Sequence, residues 1–334
     1  MTKVDFFSGF LGAGKTTFIK KLIDQVFTGE KLVLIENEFG EIGIDGGFLK
    51  DAGIEITEMN SGCICCTLVG DFSKALQKVL AEYQPDRVII EPSGVGKLSD
   101  IVRAIEDVKK DAEIEIDGRI TVVDGKKAKL YLKNFGEFFE DQVKHASTIV
   151  VSRTQMMTDE KVEECIHMLR DENADAAIIS TPWEQLSKDA IWHALEHGAE
   201  IEGLLEEEHD HHHDHEECCE HDHHHHDHEE CCEHDHHHHH HHADEVFTSW
   251  GKETAHKYTE EELDFLVKAL SETDSYGTIL RSKGIVPMTD GTWKQFDLVP
   301  EEYEVRDGQA DYTGRVCVIG TDLKEDELLK LFHI

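Results

Sequence analysis

Cations are scarce in this chain: 33 Lys and Arg face 71 Asp and Glu, a formal net charge of −38 with His counted neutral. Such a chain lacks the clustered positive charge that a nucleic-acid backbone requires, and an anionic membrane surface would repel it. No nucleic-acid partner and no membrane partner are expected. No apolar run approaches the ~18 residues that a bilayer crossing needs. The first residues run directly into a strand pattern, without a basic n-region or a cleavage motif. The nine cysteines do not follow the spacing of a secreted disulfide scaffold, since seven of them sit in tight clusters. These absences point to a soluble protein of the reducing cytoplasm.

The shortage of cations is concentrated. Residues 189–251 contain no Lys or Arg and hold 20 Asp or Glu, leaving 33 cations against 51 acids elsewhere. Of the 25 histidines, 19 lie between His209 and His242. Within this tract Asp214–His226 reads DHEECCEHDHHHH, and Asp227–His239 repeats it without change. Two polar copies of 13 residues are too short for a solenoid. With almost no apolar side chains to offset ordering entropy, residues 205–245 read as a disordered linker.

Either side of the linker the patterns differ. Before it, apolar runs at 3–8, 32–35, 54–58, 87–91, 119–123, 147–151 and 176–180 alternate with helical patterns at 16–27, 72–83, 98–108, 137–145 and 161–169. Strands alternating with helices predict an α/β domain with a mostly parallel sheet, over 1–204. After it, residues 246–334 predict a small α+β domain, with helices at 259–270 and 324–332 and strands at 278–286, 293–298, 303–305 and 315–319. Cys165 and Cys317 fall on apolar patterns and read as core. His145, His167, His193, His197, His256 and His333 are scattered and take no role.

Between the first strand and the first helix, Gly9-Phe10-Leu11-Gly12-Ala13-Gly14-Lys15-Thr16 satisfies G-x-x-x-x-G-K-[ST] in full. The alternative, a chance Gly-rich turn, does not account for both flanks. Glycines let backbone N–H groups close around phosphate oxygens at a helix N-terminus. Gly9, Gly12, Ala13, Gly14, Lys15, Thr16 and Thr17 would hold the nucleotide. Lys15 would neutralise the β/γ-phosphates and the Thr16 hydroxyl would ligate Mg²⁺. The first domain is then a P-loop NTPase. Arg87–Glu91 is an apolar strand ending in an acid, as a Walker-B element should, so Glu91 would hold Mg²⁺ directly or through water; a surface glutamate is the alternative.

Cys63-Ile64-Cys65-Cys66 sets three thiols within four residues, a set suited to Zn²⁺, Co²⁺ or Cu⁺. A tetrahedral ion would need a fourth ligand from elsewhere, and an incomplete set favours a transferable ion over a closed structural site. A redox-active thiol pair or small core residues are the alternatives.

With GFLGAGKTT at 9–17, ENEFGEIGID at 36–45, GCICC at 62–66, the Glu91 strand and Ile279–Gly284 in this order, the chain resembles the CobW-type metallochaperone GTPases, P-loop proteins of the SIMIBI class. The resemblance implies GTP hydrolysis coupled to delivery of a transition metal, most often zinc or cobalt, to a metal-requiring client. It implies that Cys63, Cys65 and Cys66 bind that metal, with Glu36 and Glu41 completing the set from a switch segment that senses the γ-phosphate. One motif departs from the pattern. Where guanine-specific members carry Asn-Lys-x-Asp, this chain has Ser152-Arg153-Thr154-Gln155, so Gln155 is left to contact the base and Arg153 to stack on it. This opens ATP as an alternative to GTP. No arginine finger is visible, which implies slow unassisted turnover.

The linker offers imidazoles, thiols and carboxylates without fixed geometry, among them His211, His212, His213, Cys218, Cys219, Cys231 and Cys232. Such a tract can collect Zn²⁺, Ni²⁺ or Co²⁺ and raise their local concentration near Cys63–Cys66; a plain acidic spacer is the alternative. Two further readings stand beside the GTPase: a metal buffer whose capacity lies in the linker and whose NTPase is slow, and a metal-sensing regulator acting through protein contacts. Oligomeric state is open to change with nucleotide or metal.

Overall fold

The computed structural model describes residues 1–37, 55–59, 69–109, 112–195, 246–311 and 313–334. Glu41, Cys63, Cys65, Cys66 and the whole of 205–245, with His211, His212, His213, Cys218, Cys219, Cys231 and Cys232, lie outside the described residues.

Among the described residues seven strands form the first sheet: β1 (Thr2–Ser8), β2 (Leu32–Asn37), β3 (Glu55–Met59), β4 (Arg87–Glu91), β5 (Ile114–Asp124), β6 (Thr148–Ser152) and β7 (Ala177–Ile179). Their order is β3-β2-β4-β1-β5-β6-β7, and every pairing is parallel. A parallel sheet needs cover on both faces, which is why its strands are continuous apolar runs rather than alternating ones. Alternation still decides which helix each side chain meets. Val4, Phe6, Val88 and Ile90 pack with Ile101 and Ile105 of α3 (Leu98–Lys109) and Leu76 of α2 (Val69–Tyr83). Phe7, Ile89, Val122 and Val150 turn the other way, onto Phe18, Ile19 and Leu22 of α1 (Lys15–Gln25). Helices α4 (Ala128–Lys144) and α5 (Asp159–Glu172) enclose a third cluster, in which Cys165 is buried.

At the amino end of the sheet Arg87 is buried, 1 % exposed, and faces three carboxylates. It pairs with Asp5, with Glu30 at 2.6 Å and with Asp117 at 2.8 Å, and its guanidinium lies 4.2 Å from the Phe27 ring centre. Burial pushes the Asp5 carboxyl up to about 7 against the pull of Arg87.

The second sheet holds β8 (Thr248–Thr254), β9 (Thr278–Pro287), β10 (Trp293–Val299), β11 (Glu302–Asp307) and β12 (Gly314–Thr321), antiparallel in the order β11-β10-β9-β12-β8. Helix α6 (Glu260–Glu272) starts with a capping box: Thr259 and Glu262 each bond the other's backbone N–H. Its Leu263, Leu266 and Leu270 pack with Leu328 of α7 (Glu325–Leu331) and with Phe296 and Val318 of the sheet.

Three elements differ from the sequence expectations, the first being β5, which begins at Ile114 rather than at 119. Helix α4 begins at Ala128 rather than near 137; Phe135 interrupts it with non-helical φ/ψ of −137° and 35°, and Gly136, a poor helix former, follows. Strand β8 carries Gly251 and five charged or polar residues, so it has almost no alternation of its own and forms by pairing with β12.

Candidate functional site

The carboxyl ends of β1, β4 and β5 meet where the strand order reverses, the position at which open α/β sheets bind ligands. The loop leaving β1 must bend sharply there. Gly9 has φ +134°, and a Cβ on it would lie 2.1 Å from the Val122 carbonyl oxygen. The loop delivers Lys15 and Thr16 to the start of α1, which has no side-chain cap and no acid in its first turn. The uncapped N–H groups and the positive helix end favour an anion.

Lys15 is buried, with Nζ donating to the Gly9 carbonyl at 2.9 Å. Burial pushes its amine down to about 8; Glu91 opposes the shift, while Arg281 and Lys283 add to it. The Thr16 hydroxyl donates to Glu91, 3.0 Å from Oε1 and 3.1 Å from Oε2. Hard oxygen donors, a hydroxyl and a carboxylate, are what Mg²⁺ selects, so the pair fits that ion. Glu36 is buried on β2 and stands in register with Glu91 on β4. Neighbouring strands lie ~4.8 Å apart, so the two acids sit side by side at the carboxyl edge. Lys20 feels both: its amine is lowered first by burial and then by Arg306, and Glu36 and Glu91 oppose this.

Arg153 adopts a left-handed φ of 60° after β6. Its guanidinium pairs with Asp124 at 3.0 Å and with Glu302 at 2.8 Å, and donates to the Gly12 carbonyl at 3.0 Å. Asp124 is buried, which raises its carboxyl above the usual range, with Arg153 opposing. Gln155 lies in the short 3₁₀ turn Thr154–Met156, exposed. Arg153 thus ties the P-loop to β5 and β11, and Gln155 is not among the residues lining the cleft below.

A cleft of about 390 Å³ opens over the loop, and the second sheet forms one of its walls. Gly12, Gly14, Lys15, Thr16, Thr17 and Glu91 line one side; Arg281, Asp297, Val299, Glu302 and Arg306 face them. Arg281 is held by Asp297 in a two-pronged pair, at 3.1 and 2.7 Å. Val299 sits so close to Gly12 that a Cβ there would be 2.4 Å from its Cγ1. Lys127 donates to the Pro300 carbonyl at 2.7 Å. Arg281 and Arg306 carry no motif with a mechanism attached. The one pointer was the Ile279–Gly284 segment, in which Arg281 lies.

The fold and the cleft define the class: an α/β protein with a P-loop, whose loop is walled by a second, antiparallel domain. Residues 3–180 match the CobW/HypB/UreG nucleotide-binding domain, and residues 247–333 match the cobalamin synthesis protein cobW C-terminal domain. The chain belongs to the CobW/HypB/UreG family. Among similar proteins, the zinc chaperone CobW of Sinorhizobium sp is 36% identical over 180 residues, covering 45% of this chain and 50% of its own length. The zinc chaperone YeiR of Escherichia coli is 31% identical over 179 residues, covering 54% and 55%. The zinc-regulated GTPase metalloprotein activator 1 of Schizosaccharomyces pombe is 25% identical over 321 residues, covering 90% of this chain and 76% of that protein. The chain thus spans about half the length of the first two relatives. Among the described residues, no helix is long and apolar enough to cross a membrane.

Proposed function

We propose that the chain is a GTP-hydrolysing metallochaperone that binds Zn²⁺ through Cys63, Cys65 and Cys66 and hands it to a metal-requiring client. The observation that carries this reading is the register of Glu36 with Glu91. An acid expected to ligate the cargo stands on the strand beside the acid expected to hold Mg²⁺. The described part of β3 ends at Met59, opposite Asn37, and the thiolate motif follows within a few residues of sequence. Nucleotide state and metal affinity would therefore share one sheet edge, a physical route for coupling.

In this reading Lys15 and the uncapped start of α1 receive the phosphates, and Thr16 and Glu91 hold Mg²⁺. When bound, that ion neutralises charge developing on the phosphate oxygens. Arg281, braced by Asp297, supplies positive charge from the opposite wall. GTP is proposed over ATP because the Schizosaccharomyces pombe relative is named a GTPase. Family position also supports zinc as the cargo, since both bacterial relatives are named zinc chaperones.

The test uses linkage. If the triphosphate tightens metal binding, zinc must tighten the triphosphate by the same factor, typically about 5- to 150-fold. Reading the affinity for GTPγS with and without Zn²⁺ keeps the many linker ligands out of the signal. The expected result is tightening by zinc in the wild type and its loss in a Cys63→Ala/Cys65→Ala/Cys66→Ala variant. Equal GTPγS affinity with and without zinc would overturn the coupling. Tightening that survives the triple substitution would move the metal role to the linker.

A further inference from the structure

His256, Glu262 and His333 come together on the second domain, and none of them lines the nucleotide cleft. One ligand-capable atom from each lies within 4.8 Å of the other two. The His256 and His333 rings stack with centres 4.5 Å apart and planes tilted by 24°. His256 Nε2 is 3.6 Å from Glu262 Oε2. That separation exceeds hydrogen-bond reach, and His256 Nε2 is buried with no hydrogen-bond partner among the described residues. The gap has a natural size: two atoms bound tetrahedrally to one zinc at ~2.0–2.1 Å lie about 3.3 Å apart.

The backbone around the cluster is fixed by bonds unrelated to it. Thr254 Oγ1 accepts the His256 N–H at 3.1 Å. The Tyr258 hydroxyl donates to the Phe332 carbonyl at 2.7 Å, tying the two histidine-bearing segments together. Phe332 stacks on Trp250 at 5.4 Å. Glu262 is held by the capping box, where Oε2 accepts the Thr259 N–H at 2.8 Å; a carboxylate oxygen has two lone pairs, so Oε2 keeps one for a ligand. His333 follows α7 with φ 55°, the left-handed region that non-glycine residues rarely occupy.

We propose that His256, Glu262 and His333 form a three-ligand site for Zn²⁺ or a similar borderline divalent cation, with a fourth position open. Two imidazoles and one carboxylate select such a cation over Mg²⁺ or Ca²⁺, which take oxygen sets. Three protein ligands leave one position for water or an incoming donor, as in exchangeable rather than closed sites. The site shares no residue with the thiolate motif and does not rest on the nucleotide reading. Occupation would cross-link the β8–α6 turn to the segment after α7.

Exchange of imidazole Cε1–H for deuterium, read residue by residue by mass spectrometry, distinguishes these histidines from the 19 of the linker. The full chain is followed across a buffered Zn²⁺ series. Expected is joint slowing at His256 and His333 with one midpoint, while His145 is unaffected. In Glu262→Gln, which keeps the capping geometry, the joint midpoint should rise by about tenfold or more. In His256→Ala, His333 should exchange at its zinc-free rate where the wild type is protected. Different midpoints for the two histidines, no slowing at either, or unchanged protection of His333 in His256→Ala would each overturn the site. Should His256→Ala not fold, the shared midpoint and the Glu262→Gln shift decide.

Discussion

Lys15 carries a charge that its surroundings resist. The amine is pushed down to about 8 by burial, with Arg281 and Lys283 contributing from the second domain. A bound triphosphate favours the protonated form, so binding above that pH must bring a proton in. Triphosphate affinity should be flat below about pH 8 and weaken above it, by close to tenfold per pH unit. The sign for stability is opposite. Between about 8 and the unfolded value of 10.5 the unfolded chain holds more protons, so this group adds stability to the free protein as pH rises. Titration calorimetry from pH 6 to 9.5 reads the first trend. In Arg281→Ala the onset of weakening should move to higher pH; an unchanged onset would remove Arg281 from the electrostatics of the site. Lys15 and Thr16 could be singled out because a phosphate loop is a contiguous pattern with a mechanism attached, and Glu91 because it ends an apolar strand; the fold brings Thr16 and Glu91 into contact. Arg281 was not, because it acts from a strand far along the chain.

At the scale of elements, long apolar strands and well-spaced helices could be read directly, since both faces of a parallel sheet must be covered. What escaped were elements whose reason to exist lies in a partner. Strand β8 forms against β12, and the first half of α4 crosses an irregular residue at Phe135. The Arg87 cluster likewise appears only when β1, β4 and β5 align. There Arg87 neutralises Asp5, which is 5% exposed, and reaches Glu30 and Asp117. Removing one partner of a buried pair strands the other charge, at a cost of about 3–5 kcal/mol. Arg87→Met should destabilise the chain by that amount in urea unfolding. Adding Asp5→Asn should recover part of the loss, because Asp5 without Arg87 must take up a proton to stay buried and the amide need not. A loss well under 1 kcal/mol in the single variant would mean that the cluster is better solvated than its burial implies.

For the whole molecule, composition divided the chain around its His-rich tract, yet nothing local revealed that the second sheet walls the phosphate cleft. The contacts responsible join residues far apart in sequence: Arg153 with Glu302, Lys127 with Pro300, and Gly12 with Val299. They have a dynamic consequence. A nucleotide held as proposed would lie between Lys15 on one wall and Arg281 and Arg306 on the other, so its release would require the walls to part or the nucleotide to leave by the open side. The Arg153–Glu302 pair is partly exposed and should contribute little to overall stability. It does, however, lock the same guanidinium that holds the Gly12 carbonyl. Glu302→Ala should therefore leave urea unfolding within about 1 kcal/mol of wild type while the GDP off-rate rises several-fold, since most effects of contact mutations appear in dissociation. Stopped-flow release of a fluorescent GDP analogue measures this. An unchanged off-rate would show that the cleft empties without moving the second domain, and the wall would then act on the nucleotide only through its charge.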